Sequence, residues 1–234
     1  MRRSVADRLI VALDTDELSD ALRLVKRLQG LIRYVKIGST LFTAAGPLAI
    51  ARMRARGLEV LLDLKFHDIP STVEYSCRAA VRHRVAMLTV HASGQREMLE
   101  AAAAGVRREA RRLQIAHPKV LGVTVLTSVN ATHRQQMTAH VLELAAQAKG
   151  AGLDGVVCSV QEAQVVRRRL GTSCVIVCPG IRPRGTERSD QHRIASPQEA
   201  MAHGADFLVV GRPITQASDP RAMTQQILQE MERA

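Results

Sequence analysis

Leu61-Leu62-Asp63-Leu64-Lys65-Phe66-His67-Asp68-Ile69-Pro70-Ser71-Thr72 is the stretch on which the reading of this chain turns. Val60, Leu61 and Leu62 make the short apolar run of a buried strand. Asp63 and Lys65 follow two apart, so on a strand their side chains point to the same face. An ion pair at the mouth of an apolar strand is costly to bury unless something uses it. Pro70 is expected to stop the strand, with Asp68 in the turn and Ser71 or Thr72 capping the next helix. The competing reading is a solvated, charged surface turn, since strand ends are where charge normally begins.

Outward from this stretch the same unit recurs. A strand over 9–13 ends at Asp14, and a helix capped by Asp16 or Ser19 runs to Gly30. A second strand, 34–37, carries Lys36 and leads to a helical stretch over 40–57. The central strand is followed by a helix over 71–84, then a strand over 86–90 ending at His91 and an alanine-rich helix over 96–113. A fifth strand, 120–126, ends in Thr127-Ser128, with its helix reaching Gly150. Strand 155–158, helix 161–170, strand 174–178 and strand 207–210 follow, the last closing at Gly211-Arg212 before a helix from about Asp219.

Eight such strands in 234 residues predict an α/β fold, a (β/α)8 TIM barrel forming one domain over 1–234. A doubly wound open sheet is the rival, because strand order is invisible in one sequence. Polar placement favours the barrel. Asp14, Lys36, Asp63, Lys65, His91, Thr127 and Arg212 lie at or just past strand carboxyl ends, the face on which barrels build their sites.

Composition narrows the function. Hydrophobic content of 46% and charged content of 24% are those of an ordinary globular chain. No apolar run approaches a membrane span, and the 9–13 run behind Arg2 and Arg3 is too short for a signal peptide, so a cytoplasmic location is expected. Cys77, Cys158, Cys174 and Cys178 are scattered, with no metal-type spacing, and are expected to be reduced, buried thiols. The net charge of +11 attracts anions, but arginine is spread along helices and aromatics are only 2%, which argues against a nucleic-acid partner.

A long connection from Pro179 to Arg193 carries Arg182, Arg184, Arg188 and Gln191, donors suited to an anion. Gly211 and Arg212 follow the eighth strand, and barrels often hold phosphate between these two loops. Lys36, Asp63, Lys65 and Asp68 are expected in the barrel mouth. A carboxylate about 4 Å from an ammonium contributes roughly 4 kcal/mol at an effective dielectric near 20. An ammonium is a poor Schiff-base nucleophile but a ready proton donor, so carbanion protonation on a small phosphorylated substrate is favoured. No Gly-x-Gly-x-x-Gly follows a strand, leaving a dinucleotide cofactor without a seat.

The pattern Asp63-x-Lys65-x-x-Asp68-Ile69-Pro70-x-Thr72 resembles the signature of the orotidine 5′-phosphate decarboxylase family. The likeness extends through Val11-Ala-Leu-Asp14, Val35-Lys36-Ile-Gly38, Val90-His-Ala-Ser93, Val123-Thr-Val-Leu-Thr127-Ser128, Cys178-Pro-Gly-Ile-Arg182-Pro and Val209-Val-Gly-Arg-Pro-Ile214, and is to the bacterial branch. The resemblance implies conversion of orotidine 5′-monophosphate to UMP in pyrimidine biosynthesis, by a homodimer with shared sites and no metal or cofactor. By the same resemblance, Asp63, Lys65 and Lys36 form the charge network, and Lys65 protonates the carbon that loses CO2. Asp68, Ile69 and Thr72 reach the neighbouring subunit's site. Asp14 and Lys36 hold the ribose, Thr127 lies near the pyrimidine, and Arg182, Gln191, Gly211 and Arg212 hold the phosphate. Gln95 stands where the family usually has a second glycine after Gly94. The nearest rival is a related barrel that decarboxylates or condenses sugar phosphates with magnesium.

Overall fold

The computed structural model describes residues 4–126, 134–183 and 195–234. Eight strands follow the apolar runs: β1 (Leu9–Ala12), β2 (Tyr34–Gly38), β3 (Glu59–Phe66), β4 (Met87–His91), β5 (Lys119–Val123), β6 (Gly155–Val157), β7 (Val175–Cys178) and β8 (Phe207–Val210). All pair in parallel in chain order, and β8 returns to β1 through Leu9↔Leu208 and Val11↔Val210. The sheet is therefore a closed barrel and not an open doubly wound sheet.

Alternation along each strand sorts side chains to two cores. Leu9 and Val11 face outward to the helices, while Ile10 and Ala12 face the barrel axis with Leu61, Met87, Leu121, Val177, Phe207 and Val209. Tyr34 and Phe207 meet edge to face inside, ring centroids 5.4 Å apart. The interior is thus plugged with apolar side chains on the amino-terminal side. Further along the same inward positions, Lys36, Asp63, Lys65 and Thr89 replace hydrocarbon. That switch places the polar site at one end.

The helices are α1 (Leu18–Arg27), α2 (Ser39–Ala45), α3 (Pro47–Arg54), α4 (Pro70–Arg82), α5 (Arg96–Arg112), α6 (Arg134–Gly150), α7 (Val160–Leu170), α8 (Pro197–Ala202), α9 (Arg212–Thr215) and α10 (Pro220–Glu232). The expected 40–57 helix is two, because Gly46 takes φ 57° and Pro47 starts the second. β3 ends at Phe66, before Pro70, which opens α4 at its first position; neither Ser71 nor Thr72 caps it, and Ile69 holds the cap position. Likewise α1 starts after Glu17 with no side-chain cap from Asp16 or Ser19. β5 stops at Val123, short of the expected 126.

The end opposite the site is tied by side chains onto backbone. Arg8 donates to the carbonyls of Ala205 and Asp206 across the β1–β8 seam, at 2.6 and 3.1 Å. Asp154 accepts the Val120 N–H and Asp206 the Ile176 N–H, each at 2.8 Å. Cys77, Cys158, Cys174 and Cys178 are free and buried, as the scattered spacing predicts, and burial pushes the Cys77 thiol up to about 12. Among the described residues no helix is long and apolar enough to cross a membrane.

Candidate active site

At the carboxyl end of the barrel, β1, β2 and β3 bring four charges into a row of alternating sign. Lys36 Nζ lies 2.8 Å from Asp14 Oδ1 and 3.5 Å from Asp63 Oδ2. Lys65 Nζ reaches the same Asp63 oxygen at 2.9 Å. Gly38 leaves the space this needs, since a Cβ there would come within 2.9 Å of Lys36 Nζ. Asp63 and Lys36 are mostly enclosed, with side chains 12% and 13% exposed, while Lys65 is more open at 33%.

Asp63 is the electrostatic centre. Burial alone would push its carboxyl up, but the ammonium groups of Lys36 and Lys65, with hydrogen bonds from Lys65 and Thr89, outweigh that and hold it below the usual carboxylate range. It is a fixed anion between two cations. Lys65 has φ 51°, in the left-handed region that costs a non-glycine residue roughly 1–2 kcal/mol. Such strain persists only where the surroundings hold it.

The cavity above this row encloses about 300 Å³ and has two unlike walls. Asp14, Lys36, Asp63, Lys65 and Thr89 make the charged one; Val123, Val125, Val157, Val177 and Val209 make the apolar one. Gly180, Arg182, Gly211 and Arg212 complete the rim beyond β7 and β8. Arg182 is 9% exposed and donates to the Ile181 carbonyl at 2.9 Å. A flat, part-apolar ring with an anionic tail matches these surfaces: hydrocarbon for the ring faces, guanidinium groups for the tail.

Of the residues singled out from sequence, Asp14, Lys36, Asp63, Lys65, Arg182, Gly211 and Arg212 line one cavity. Asp68, Ile69 and Thr72 do not. Asp68 accepts the Ile69 N–H at 2.7 Å on an outer rim shared with His67, Pro70, Gly94 and Gln95, and Ile69 is 63% exposed. Thr127, Arg184, Arg188 and Gln191 lie outside the described residues. His91 is half-buried beside His67, ring centroids 5.3 Å apart, and its imidazole is pushed down first by burial and then by His67 and Lys65. Gln95 has φ −44° at the start of α5, so the backbone there requires no second glycine.

Sequence reasoning passed over Thr89. It is fully buried on β4, donates its hydroxyl to Asp63 Oδ1 at 2.9 Å and accepts the Lys65 N–H at 3.0 Å. A threonine in an apolar strand carries no sign of that role unless the partner strand's irregularity is known. Among the described residues no group of three or more His, Cys, Asp or Glu is placed to hold a metal ion.

Comparison with known proteins agrees with this geometry. The orotidine 5′-phosphate decarboxylase / HUMPS family model matches residues 7–227. The chain is 45% identical over 239 residues to the orotidine 5′-phosphate decarboxylase of Moorella thermoacetica, covering 99% of this chain and 95% of that one. It is 46% identical over 233 residues to that of Halorhodospira halophila, covering 97% of each. The crystal structure of orotidine 5′-phosphate decarboxylase from Lactobacillus acidophilus superposes with a TM-score of 0.83 at 36% identity, covering 96% of this chain and 99% of that one. A match of that extent, on a closed eight-stranded barrel, means that the chain belongs to the orotidine 5′-phosphate decarboxylase / HUMPS family.

Proposed function

We propose that this chain decarboxylates orotidine 5′-monophosphate to UMP, the closing step of pyrimidine nucleotide synthesis, in the cytoplasm. The observation that carries the reading is the alternating row Asp14, Lys36, Asp63, Lys65 facing an apolar wall, with Arg182 and Arg212 at the far rim. Loss of CO2 leaves an electron pair on a ring carbon. The Lys65 ammonium, 2.9 Å from Asp63, is the cation placed to stabilise that pair and then donate its proton, after which solvent returns a proton to the amine. Lys36 and Asp14 bind the ribose hydroxyls. The phosphate is held by Arg182, Gly211 and Arg212, together with Gln191 of the long connection, and Thr127 lies against the pyrimidine. Binding energy gathered at the phosphate is used to order the reacting groups.

In this reading the working unit is a homodimer. Asp68, Ile69 and Thr72 stand outside their own cavity, and the exposed Ile69 and Tyr75, 63% and 65% accessible, suit burial against a second copy. No nucleic-acid or membrane partner is needed, and none of the chemistry calls on a metal or organic cofactor. The test is the fall in ultraviolet absorbance when orotidine 5′-phosphate is added in the presence of EDTA. Steady conversion to UMP is expected. Folded protein that leaves the spectrum unchanged overturns the reading, and activity restored only by magnesium would move the chain to the metal-dependent barrels.

A further inference from the structure

The ladder between β3 and β4 breaks at the site. Leu62 pairs with Leu88 and the next register pair is Phe66 with Val90, so residues 63–65 of β3 stand opposite Thr89 alone. Such a bulge re-aims side chains and leaves backbone groups without ladder partners. It gives Lys65 its positive φ and removes the partner its N–H would have had. Where the backbone is partly buried, that N–H calls for a new partner. The Thr89 hydroxyl does it, accepting the bond at 3.0 Å.

With that lone pair engaged, the hydroxyl proton is directed at Asp63 Oδ1, 2.9 Å away. Asp63 therefore offers different oxygens to different tasks. Oδ1 is anchored to the strand through Thr89, and Oδ2 is left to the ammonium groups of Lys65 and Lys36, at 2.9 and 3.5 Å. One fully buried hydroxyl thus bridges the backbone of the proton donor and the side chain of its counter-ion. Both its hydrogen-bonding directions point to residues of the charge row.

We infer that Thr89 is a positioning residue for the reaction: its hydroxyl locks the β3 bulge so that Lys65 and Asp63 are already aimed when substrate enters. The inference rests on the decarboxylase reading and deepens it. Because the effect passes through Lys65 and Asp63, it falls on turnover and leaves binding at the distant phosphate alone. Valine has nearly the shape of threonine without the hydroxyl, and serine has the hydroxyl without the methyl, so the pair separates hydrogen bonding from packing.

The experiment compares Thr89→Val, Thr89→Ala and Thr89→Ser with the wild type on orotidine 5′-phosphate. Losing a hydrogen bond to a charged group predicts a kcat roughly tenfold to a hundredfold lower in Thr89→Val, with KM and UMP inhibition within about threefold. Thr89→Ser is expected to recover most of the loss, and Thr89→Ala stands in for Thr89→Val if the latter does not fold. A kcat within twofold of the wild type in the hydroxyl-free variant, or equal impairment of Thr89→Ser, overturns the inference. An inactive wild type overturns the decarboxylase reading instead. A crystal structure of the hydroxyl-free variant then decides the positioning role by itself: Lys65 must have left its positive φ or its contact with Asp63, and an unchanged pair refutes it.

Discussion

Gly38 is a position where a side chain would collide with chemistry and spare the fold. A Cβ there would meet Lys36 Nζ at 2.9 Å and Asp14 Oδ1 at 3.3 Å. The ammonium is the free end of a flexible chain, so it can move aside at little cost to folding but must then leave its seat. Gly38→Ala is expected to keep its melting temperature within a few degrees while kcat/KM falls by about tenfold or more, as misplaced site groups do. Lys65→Ala should leave a folded protein with turnover lowered by about a thousandfold or more, the combined scale of general-acid and electrostatic catalysis. Circular dichroism and the absorbance assay check both; substantial residual turnover removes Lys65 from its role. Asp63 and Lys65 were legible because two-residue spacing states a shared face outright. Thr89 was not, because its meaning lies in the strand opposite.

Among elements, the rim from His67 to Thr72 carries the most testable consequence. Asp68 lies outside the lining of its own cavity, just ahead of α4. If two copies share sites, Asp68→Ala mixed with Lys65→Ala rebuilds one intact site in each hybrid, about a quarter of wild-type activity for random exchange in a two-fold dimer. No recovery after proven exchange refutes the sharing. The strands were readable from sequence since buried parallel strands are short apolar runs that end where charge begins. Helix starts were less so. Pro70, Pro47 and Pro197 open helices at the first position, a role in which proline reads equally as a strand or helix terminator. The β3 bulge was invisible as well, because a period-two pattern continues through it: Leu61, Asp63 and Lys65 all face the axis although the register with β4 slips.

Across the molecule, the arginine excess finds its physical place. The last turns of α1, α3, α4, α5 and α7 hold Arg27, Arg54, Arg82, Arg112 and Arg169, where cations oppose the helix dipole. Three arginines also enclose one carboxylate between α4 and α5. Hydrogen bonds from Arg112 and Arg82, then Arg78, hold Glu109 at about 2 against the burial that would raise it. A carboxyl depressed in the folded state stabilises above its unfolded value near 4.5, and the contribution is lost as pH falls toward about 2. Glu109→Gln is therefore expected to melt several degrees below the wild type at neutral pH, with the gap closing on acidification; a constant gap counts against the network. The +11 charge itself was plain in the sequence, but its partition between helix ends and this cluster depends on which helices touch. Three of the four buried thiols make the barrel its own stability probe. Cys158 also borders the active-site cavity, but an alkylating reagent can react with Cys77, in a helix, or with Cys174 and Cys178, at the two ends of β7, only when an opening event uncovers them. Labelling rates resolved by peptide would thus rank how often the outer layer peels away against how often the staves themselves part.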